Sequence, residues 1–381
     1  MKQRSYKATG INLKAMPMGE SDRLVTVLTQ EYGLIRAIAP GARKHKSRLG
    51  GRSGMFVVNE LLFAKGKSID KLVQAETLQS FPGLSQDLAK LTTSQYLAEL
   101  ALAQALTDQP QEELFSLLIE HLERIEAAAK PDILPCLAQA TFHMLALAGV
   151  APEVFRCCLS RSPLTAELGN PNWQVGFSVS SGGAVDLAEL ERIKSDRFKE
   201  IQHIEQEWQA QRDLDLSEAT LTGSTRESEA LYMPSNTMPS NTNKAKQVAQ
   251  KQSLGNPRRW QAQLQAKVSQ EVIRNLGIVG YLSAAELALM QQLSKPELIM
   301  TTPAVPLNRP QPNRQFAAKS GTIRSSATTV ESALEASGPH IMWRHIEKFL
   351  RQYAQYQFDR PIRSAALIDT CFTSPTHAAR A

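Results

Sequence analysis

Gly19-Glu-Ser-Asp-Arg-Leu-Val-Thr-Val-Leu-Thr-Gln-Glu-Tyr-Gly-Leu-Ile-Arg-Ala-Ile-Ala-Pro-Gly-Ala-Arg-Lys-His-Lys-Ser-Arg48 joins two strand-like runs to an acid-free basic loop. In Arg23 to Thr29 the β-branched and bulky apolar residues fall on both faces, the pattern of a strand in a closed barrel. Tyr32-Gly33 turns the chain into a second run, Leu34 to Ala39. Working outward, strands are expected at Lys7 to Lys14, Met55 to Phe63 and Lys71 to Gln79. Lys65-Gly66 supplies another turn, and Gly50, Gly51 and Gly54 loosen the loop before the fourth run. Five short strands within residues 1–80 fit a small barrel of the OB type.

Beyond Pro82 the apolar period changes from two to about 3.6. Leu114, Leu117, Leu118, His121, Leu122 and Ile125 share one helical face, and Leu134, Leu137, Ala138, Phe142 and Leu145 share another. Gly149 and Pro152 end that second helix. The stretch 192–270 is polar and charged and contains a tandem repeat, Met233-Pro-Ser-Asn-Thr then Met238-Pro-Ser-Asn-Thr. Such composition buries too little apolar surface to offset ordering entropy, so disorder or marginal helix is expected there. Residues 301–338, rich in Pro, Asn, Ser and Thr, read the same way. Helical patterning returns in Val272 to Leu298. It returns again near the end, where Met342, Ile346, Phe349, Leu350 and Tyr353 make an apolar stripe beside Arg344, Lys348 and Arg351.

The chain has 381 residues, 42% of them hydrophobic, enough for two or three domains with a sizeable core. The N-terminus lacks the apolar core of a secretory signal and no run of about 18 apolar residues offers a membrane span, so a cytoplasmic protein is expected. Four cysteines, Cys136, Cys157, Cys158 and Cys371, are too few and too irregular for a disulfide framework and are expected to be reduced.

The net charge of +6 is unevenly placed. Arg43, Lys44, Lys46, Arg48 and Arg52 crowd one loop, with Arg36 just upstream and no acid between Glu31 and Glu60. Cations so crowded repel one another unless a polyanion neutralises them, and each phosphate contact releases condensed counterions. A solvated basic loop is the plain alternative. Tyr6, Tyr32, Phe56 and Phe63 are the aromatic candidates for stacking on bases, although Phe56 and Phe63 suit a core better. Electrostatics is therefore expected to dominate over stacking, with weak sequence preference and binding to both single strands and duplex.

No other chemistry competes well. Cys157-Cys158 are adjacent thiols, whereas a structural zinc takes two Cys-x-x-Cys knuckles, and Ala184 to Glu189 holds no cysteine. No phosphate loop, His-Glu-x-x-His or Gly-x-Ser-x-Gly pattern is found, so neither an enzyme nor a cofactor is expected. Glu20 and Asp22 beside Arg23 read as a turn with a local ion pair. His121 and His143 read as packing residues.

The chain resembles the bacterial recombination mediator family RecO. The resemblance rests on Gly19-Glu-Ser-Asp-Arg-Leu, on Leu28-Thr-x-x-Tyr-Gly-Leu, and on Ala39-Pro-Gly-Ala-Arg-Lys with Lys46-Ser-Arg. It continues through Tyr96-Leu-Ala-Glu-Leu, Leu114-Phe-x-x-Leu-Leu and Arg360-Pro-Ile-Arg-Ser, in order. It covers about residues 1–190, parts of 272–300, and 340–372, with the two polar stretches as insertions. It implies a non-enzymatic protein that binds single- and double-stranded DNA and anneals complementary strands. The partners it implies are RecR and single-strand-binding protein, with which recombinase is loaded in gap and break repair. The family's zinc module is degenerate in this chain: Cys157 remains, and Ser160, Asp186 and Glu189 stand where the other thiols would be.

The expected architecture is α+β. An OB-fold DNA-binding barrel (1–80) precedes a helical domain with a degenerate zinc-finger-like module (84–190), a polar insertion (192–270), a helical continuation (272–300), a second insertion (301–338), and a closing helix and motif (339–372). DNA binding is assigned to Arg36, Arg43, Lys44, Lys46, Arg48 and Arg52, with the closing helix as auxiliary surface. The alternative is an adaptor whose helical domain docks proteins and whose barrel binds RNA.

Overall fold

A computed structural model describes residues 5–221, 257–295 and 339–372. The five expected strands are β1 (Ser5–Met18), β2 (Asp22–Thr29), β3 (Gly33–Ala39), β4 (Val57–Ala64) and β5 (Asp70–Ser80). They close into a barrel in the order β1-β2-β3-β5-β4, β4 pairing back onto β1. All pairings are antiparallel except the contact of β3 with β5, where Ala37 faces Asp70 and Ile38 faces Lys71. Strand alternation turns Val25, Val27, Ile35, Leu61, Phe63 and Leu72 inward, and Ala8, Ala37, Ala39 and Ala75 leave room for them in a narrow lumen.

The helical part begins with α1 (Leu88–Gln104), whose cap Asp87 accepts hydrogen bonds from the backbone N–H groups of Ala89 and Lys90. α2 (Glu112–Ala127) and α3 (Ile133–Leu147) follow, then strands β6 (Gln174–Ser178) and β7 (Gly183–Asp186). Next come α4 (Leu187–Leu221), α5 (Pro257–Asn275), β8 (Ile278–Ser283), α6 (Ala284–Gln292), α7 (Pro339–Gln357) and α8 (Ala365–Phe372). α3 is the central helix, packed against α1, α2 and α7, while α8 rests on α1. A three-stranded sheet, β7-β6-β8, adds Phe177, whose ring lies against Phe349 and Tyr353 of α7. Residues up to 185 and from 279 onward form one compact unit, and residues 186–278 form a second in which α4 packs on α5.

Barrel and helices are joined backbone to backbone. Leu34 N–H donates to the Leu106 carbonyl at 2.8 Å, and Gln111 N–H to the Gln30 carbonyl at 2.8 Å. Gly33, at φ +65°, makes this approach possible, because a Cβ there would lie 2.2 Å from the Leu106 oxygen and 2.5 Å from that of Gln109. Gly33→Ala is therefore expected to cost more than the roughly 1–2 kcal/mol of a left-handed residue, seen as a lower thermal midpoint.

Of the two alternatives read for 192–270, disorder or marginal helix, the described part takes the helical one, and the reading of 272–300 changes. Residues 192–221 and 257–270 are helical, belonging to α4 and α5. The start of α4 is supported by opposite charges one helical turn apart: Glu189 with Arg192 at 2.5 Å, Glu191 with Lys194 at 2.7 Å and Arg197 with Glu200 at 2.6 Å. The rest of that polar stretch, with the tandem repeat and Lys244, Lys246 and Lys251, lies outside the described residues, as does the insertion 301–338. Within the stretch 272–300, read as a helical continuation and described to residue 295, Gly277 at φ +59° ends α5 and the chain enters β8 before Ser283 and Glu286 form the capping box of α6.

The two histidines pack as expected and also bond. The Nε2–H of His143 donates to the Leu293 carbonyl at 2.8 Å, which leaves its Nδ1 to accept from His121 Nε2–H at 3.2 Å. Burial, helped by the neighbouring His143 and Arg124, pushes His121 down to about 3. An unfolded chain would protonate this ring near pH 6.5, so stability is retained above that pH and falls below it, by up to about 1.4 kcal/mol per pH unit. His121→Phe is expected to flatten the loss by one proton's worth when urea midpoints at pH 7 and pH 5 are compared.

Candidate nucleic-acid interface

The basic segment between β3 and β4 is a chain of tight turns, more ordered than its glycines suggest. Lys44 N–H donates to Gly41 at 3.0 Å, Ser47 to Lys44 at 3.0 Å, Gly50 to Ser47 at 3.2 Å and Gly54 to Gly51 at 2.9 Å. Ala42 and Ser53 are buried and Leu49 packs on the barrel core, so the loop's apolar side seals the barrel. Its charged side is left outward: Arg43, Lys44, Lys46, Arg48 and Arg52 are all exposed.

The Gly19-Glu-Ser-Asp-Arg23 motif holds this loop at both ends. Asp22 accepts from the Gly41 N–H at 2.8 Å and from the Ser21 hydroxyl at 2.8 Å. These two donors, with Lys44 and Lys71 nearby, hold its carboxyl below the usual carboxylate range. Arg23 reaches the other end, donating to the Gly50 carbonyl at 2.8 Å and the Ser53 hydroxyl at 3.1 Å. The expected ion pair between Asp22 and Arg23 does not form. Neighbouring side chains on a strand point to opposite faces, so each reaches a different end of the loop.

The six assigned cations divide into groups. Arg43 spends an N–H on the Gly19 carbonyl at 2.8 Å, and Arg52 braces β5 through the Ala75 carbonyl at 2.6 Å. The Arg52 carbonyl is itself held by the buried amides of Asn12 at 2.8 Å and Asn59 at 3.0 Å. Lys44, Lys46 and Arg48 are exposed and make no side-chain hydrogen bond among the described residues. Arg36 projects from β3, aligned through Thr26 of β2 with Lys14 of β1, so it extends a row along the barrel wall and stands apart from the loop tip. Lys14 and Lys71 escaped the sequence reading because neither belongs to a cluster of cations along the chain. Their signal was the outward phase of the strand alternation.

None of the four aromatic candidates is exposed on the loop. Phe56 and Phe63 are buried, and Tyr6 stacks on Phe63 and donates its hydroxyl to Asp70. Tyr32, 40% exposed, sits at the opposite end of β3 from the loop. The closing helix also differs from expectation. Lys348 is exposed, but Arg351 is only 7% exposed and is enclosed by Glu347, Asp369 and the Ala365 carbonyl. It is a structural ion and adds nothing to an outward basic surface. Near it, the Glu99 carboxylate of Tyr96-Leu-Ala-Glu-Leu accepts from the N–H groups of Arg363 at 2.6 Å and Ser364 at 3.3 Å, fastening Arg360-Pro-Ile-Arg-Ser to α1.

Around Cys157 the backbone folds into a small knot. Arg161 N–H donates to the Cys157 carbonyl at 2.9 Å, and Cys158 N–H to Ala184 at 2.9 Å. Cys157 is buried, and burial pushes the Cys158 thiol up to about 11. Glu189 is paired with Arg192, and Asp186 accepts from the Ala188 N–H at 2.9 Å. Among the described residues no three potential ligands are grouped to hold a metal. Among them too, no helix is long and apolar enough to cross a membrane.

The family model Recombination protein O N terminal matches residues 1–81, and Recombination protein O C terminal matches residues 85–216. The chain belongs to the RecO family. The break between the two matches falls at Pro82, where the barrel hands over to the helices, and the second match runs to the far part of α4, past the residue 190 at which the resemblance was expected to pause. The DNA repair protein RecO of Nostoc sp. (strain PCC 7120) is 42% identical over 374 residues, 97% of both chains. That of Acaryochloris marina is 43% identical over 370 residues, 97% of this chain and 96% of the relative. The RecO of Trichodesmium erythraeum is 54% identical over 197 residues, half of this chain and 68% of the relative. The family is one of DNA repair and recombination.

Proposed function

We propose that this chain is a non-enzymatic DNA-binding protein of recombinational repair. Its barrel acts as an OB-type module that takes single- and double-stranded DNA on the basic loop. It anneals complementary strands and, with RecR and single-strand-binding protein, helps to load recombinase, working in the cytoplasm at the nucleoid. The knot around Cys157 serves as a metal-free remnant of a zinc module.

The observation that carries this reading is the loop clamped at Gly41 and at Gly50 and Ser53, with Lys44, Lys46 and Arg48 turned outward and no acid between residues 32 and 59. A merely solvated loop has no need of two buried amides and two charged side chains to fix its shape. Phosphates recognised along such a loop carry no base sequence, which fits annealing of any complementary pair. The test is strand annealing on DNA coated with single-strand-binding protein, comparing wild type with Lys44→Ala/Lys46→Ala/Arg48→Ala. Annealing is expected to fall steeply in the variant. Undiminished annealing, or a preference for structured RNA in competition, would favour the adaptor instead.

A further inference from the structure

Beside the basic loop lies an open cleft of about 620 Å³. One wall is the loop itself, through Gly51, Arg52 and Met55; the other is Phe81, Pro82 and Leu84 at the start of the helical part. Phe56, Thr77, Ser80 and Ser85 also line it. Phe56 is held at φ +58°, a left-handed backbone conformation that a bulky side chain adopts only when its surroundings impose it. Strain of this kind gathers at binding sites. Arg52, anchored to the Ala75 carbonyl, is fixed at the cleft rather than swinging in solvent.

We propose that this cleft is a base pocket. When a single strand lies along the loop, one unstacked nucleobase enters between Met55 and the Phe81-Pro82 wall, with Arg52 beside it. The proposal rests on the DNA-binding reading above and deepens it. An apolar side chain of a protein would fit the walls too, but charge favours the nucleic acid: the lip of the cleft is the most basic segment of the barrel, and a base arrives attached to the phosphate such a lip attracts. A paired base cannot enter without leaving its duplex, so the cleft distinguishes single strands from duplex while the loop cations hold both. The chain thus needs no exposed stacking aromatic near the loop.

Two measurements test this. Gly51 lines the cleft and a Cβ there meets nothing within 4 Å, so Gly51→Trp is tolerated by the backbone and places an indole at the cleft. Removing one base contact costs about 5- to 150-fold in affinity. Single-strand affinity of Gly51→Trp is expected to fall at least fivefold, with duplex affinity and the salt dependence of both unchanged. On the wild-type protein, an abasic phosphodiester strand of equal length is expected to bind at least fivefold more weakly than a normal strand. Equal binding of abasic and normal strands overturns the base pocket whatever the variant does. Single-strand affinity unchanged by Gly51→Trp overturns it as well and leaves the cleft to a protein side chain. Either result leaves the basic loop standing, whereas a wild type that binds neither form of DNA fails the underlying reading instead.

Discussion

Arg351→Met is expected to lower folding stability by about 3–5 kcal/mol, the usual loss when one partner of a buried ion pair is removed. Arg351 Nε lies 3.0 Å from a Glu347 carboxylate oxygen, and its guanidinium forks onto Asp369 at 2.6 and 3.1 Å. The two carboxylates are not equivalent: Asp369 faces solvent, but Glu347 is only 2% exposed. Burial pushes Glu347 up to about 7 even with the arginine pulling the other way. Without that cation the carboxyl must either stay charged in an apolar helix interface or take up a proton.

The pH dependence separates this account from a simple packing defect. A carboxyl raised above its ordinary range contributes stability at low pH and loses it as pH rises through its folded value. Removing Arg351 raises that value further, so the deficit of Arg351→Met is expected to be larger at pH 8 than at pH 6. Glu347→Gln added to Arg351→Met is expected to recover much of the loss at pH 8, since replacing both members spares the orphaned charge. Urea unfolding midpoints at the two pH values decide the matter; a deficit independent of pH and unrelieved by Glu347→Gln would argue for lost packing alone.

This ion pair also marks where sequence reading reached its limit. Glu347 and Arg351 stand four residues apart, and a helical wheel puts both beside the apolar stripe of Ile346 and Leu350. Nothing local said that α8 covers that side, because the partner, Asp369, comes from a later helix. The barrel was more legible, since alternation is a local signal and every strand carries it. The loop cations were legible as charge, but their clamps were not: Asn12, Asn59, Asp22 and Arg23 act across 7 to 40 residues of chain. Strands β6, β7 and β8 are only 5, 4 and 6 residues long and lie amid helices, too short for a period to declare itself.

The loop itself gives the other large effect. With three cations removed in Lys44→Ala/Lys46→Ala/Arg48→Ala, the slope of log affinity against log salt is expected to become shallower by about 2.7 for duplex and about 2.1 for single strands, at roughly 0.9 and 0.7 per phosphate contact. None of the three makes a side-chain hydrogen bond within the described structure, so stability should be nearly unchanged. Arg23→Leu is the opposite case. It leaves the loop charge intact but removes the hydrogen bonds to Gly50 and Ser53, releasing the loop's far end. If a fixed shape matters as well as charge, that variant binds DNA more weakly while its salt slope drops by no more than one contact. Wild-type affinity in Arg23→Leu would mean that charge alone suffices, and an unaltered salt slope in the triple variant would remove the loop from the interface altogether.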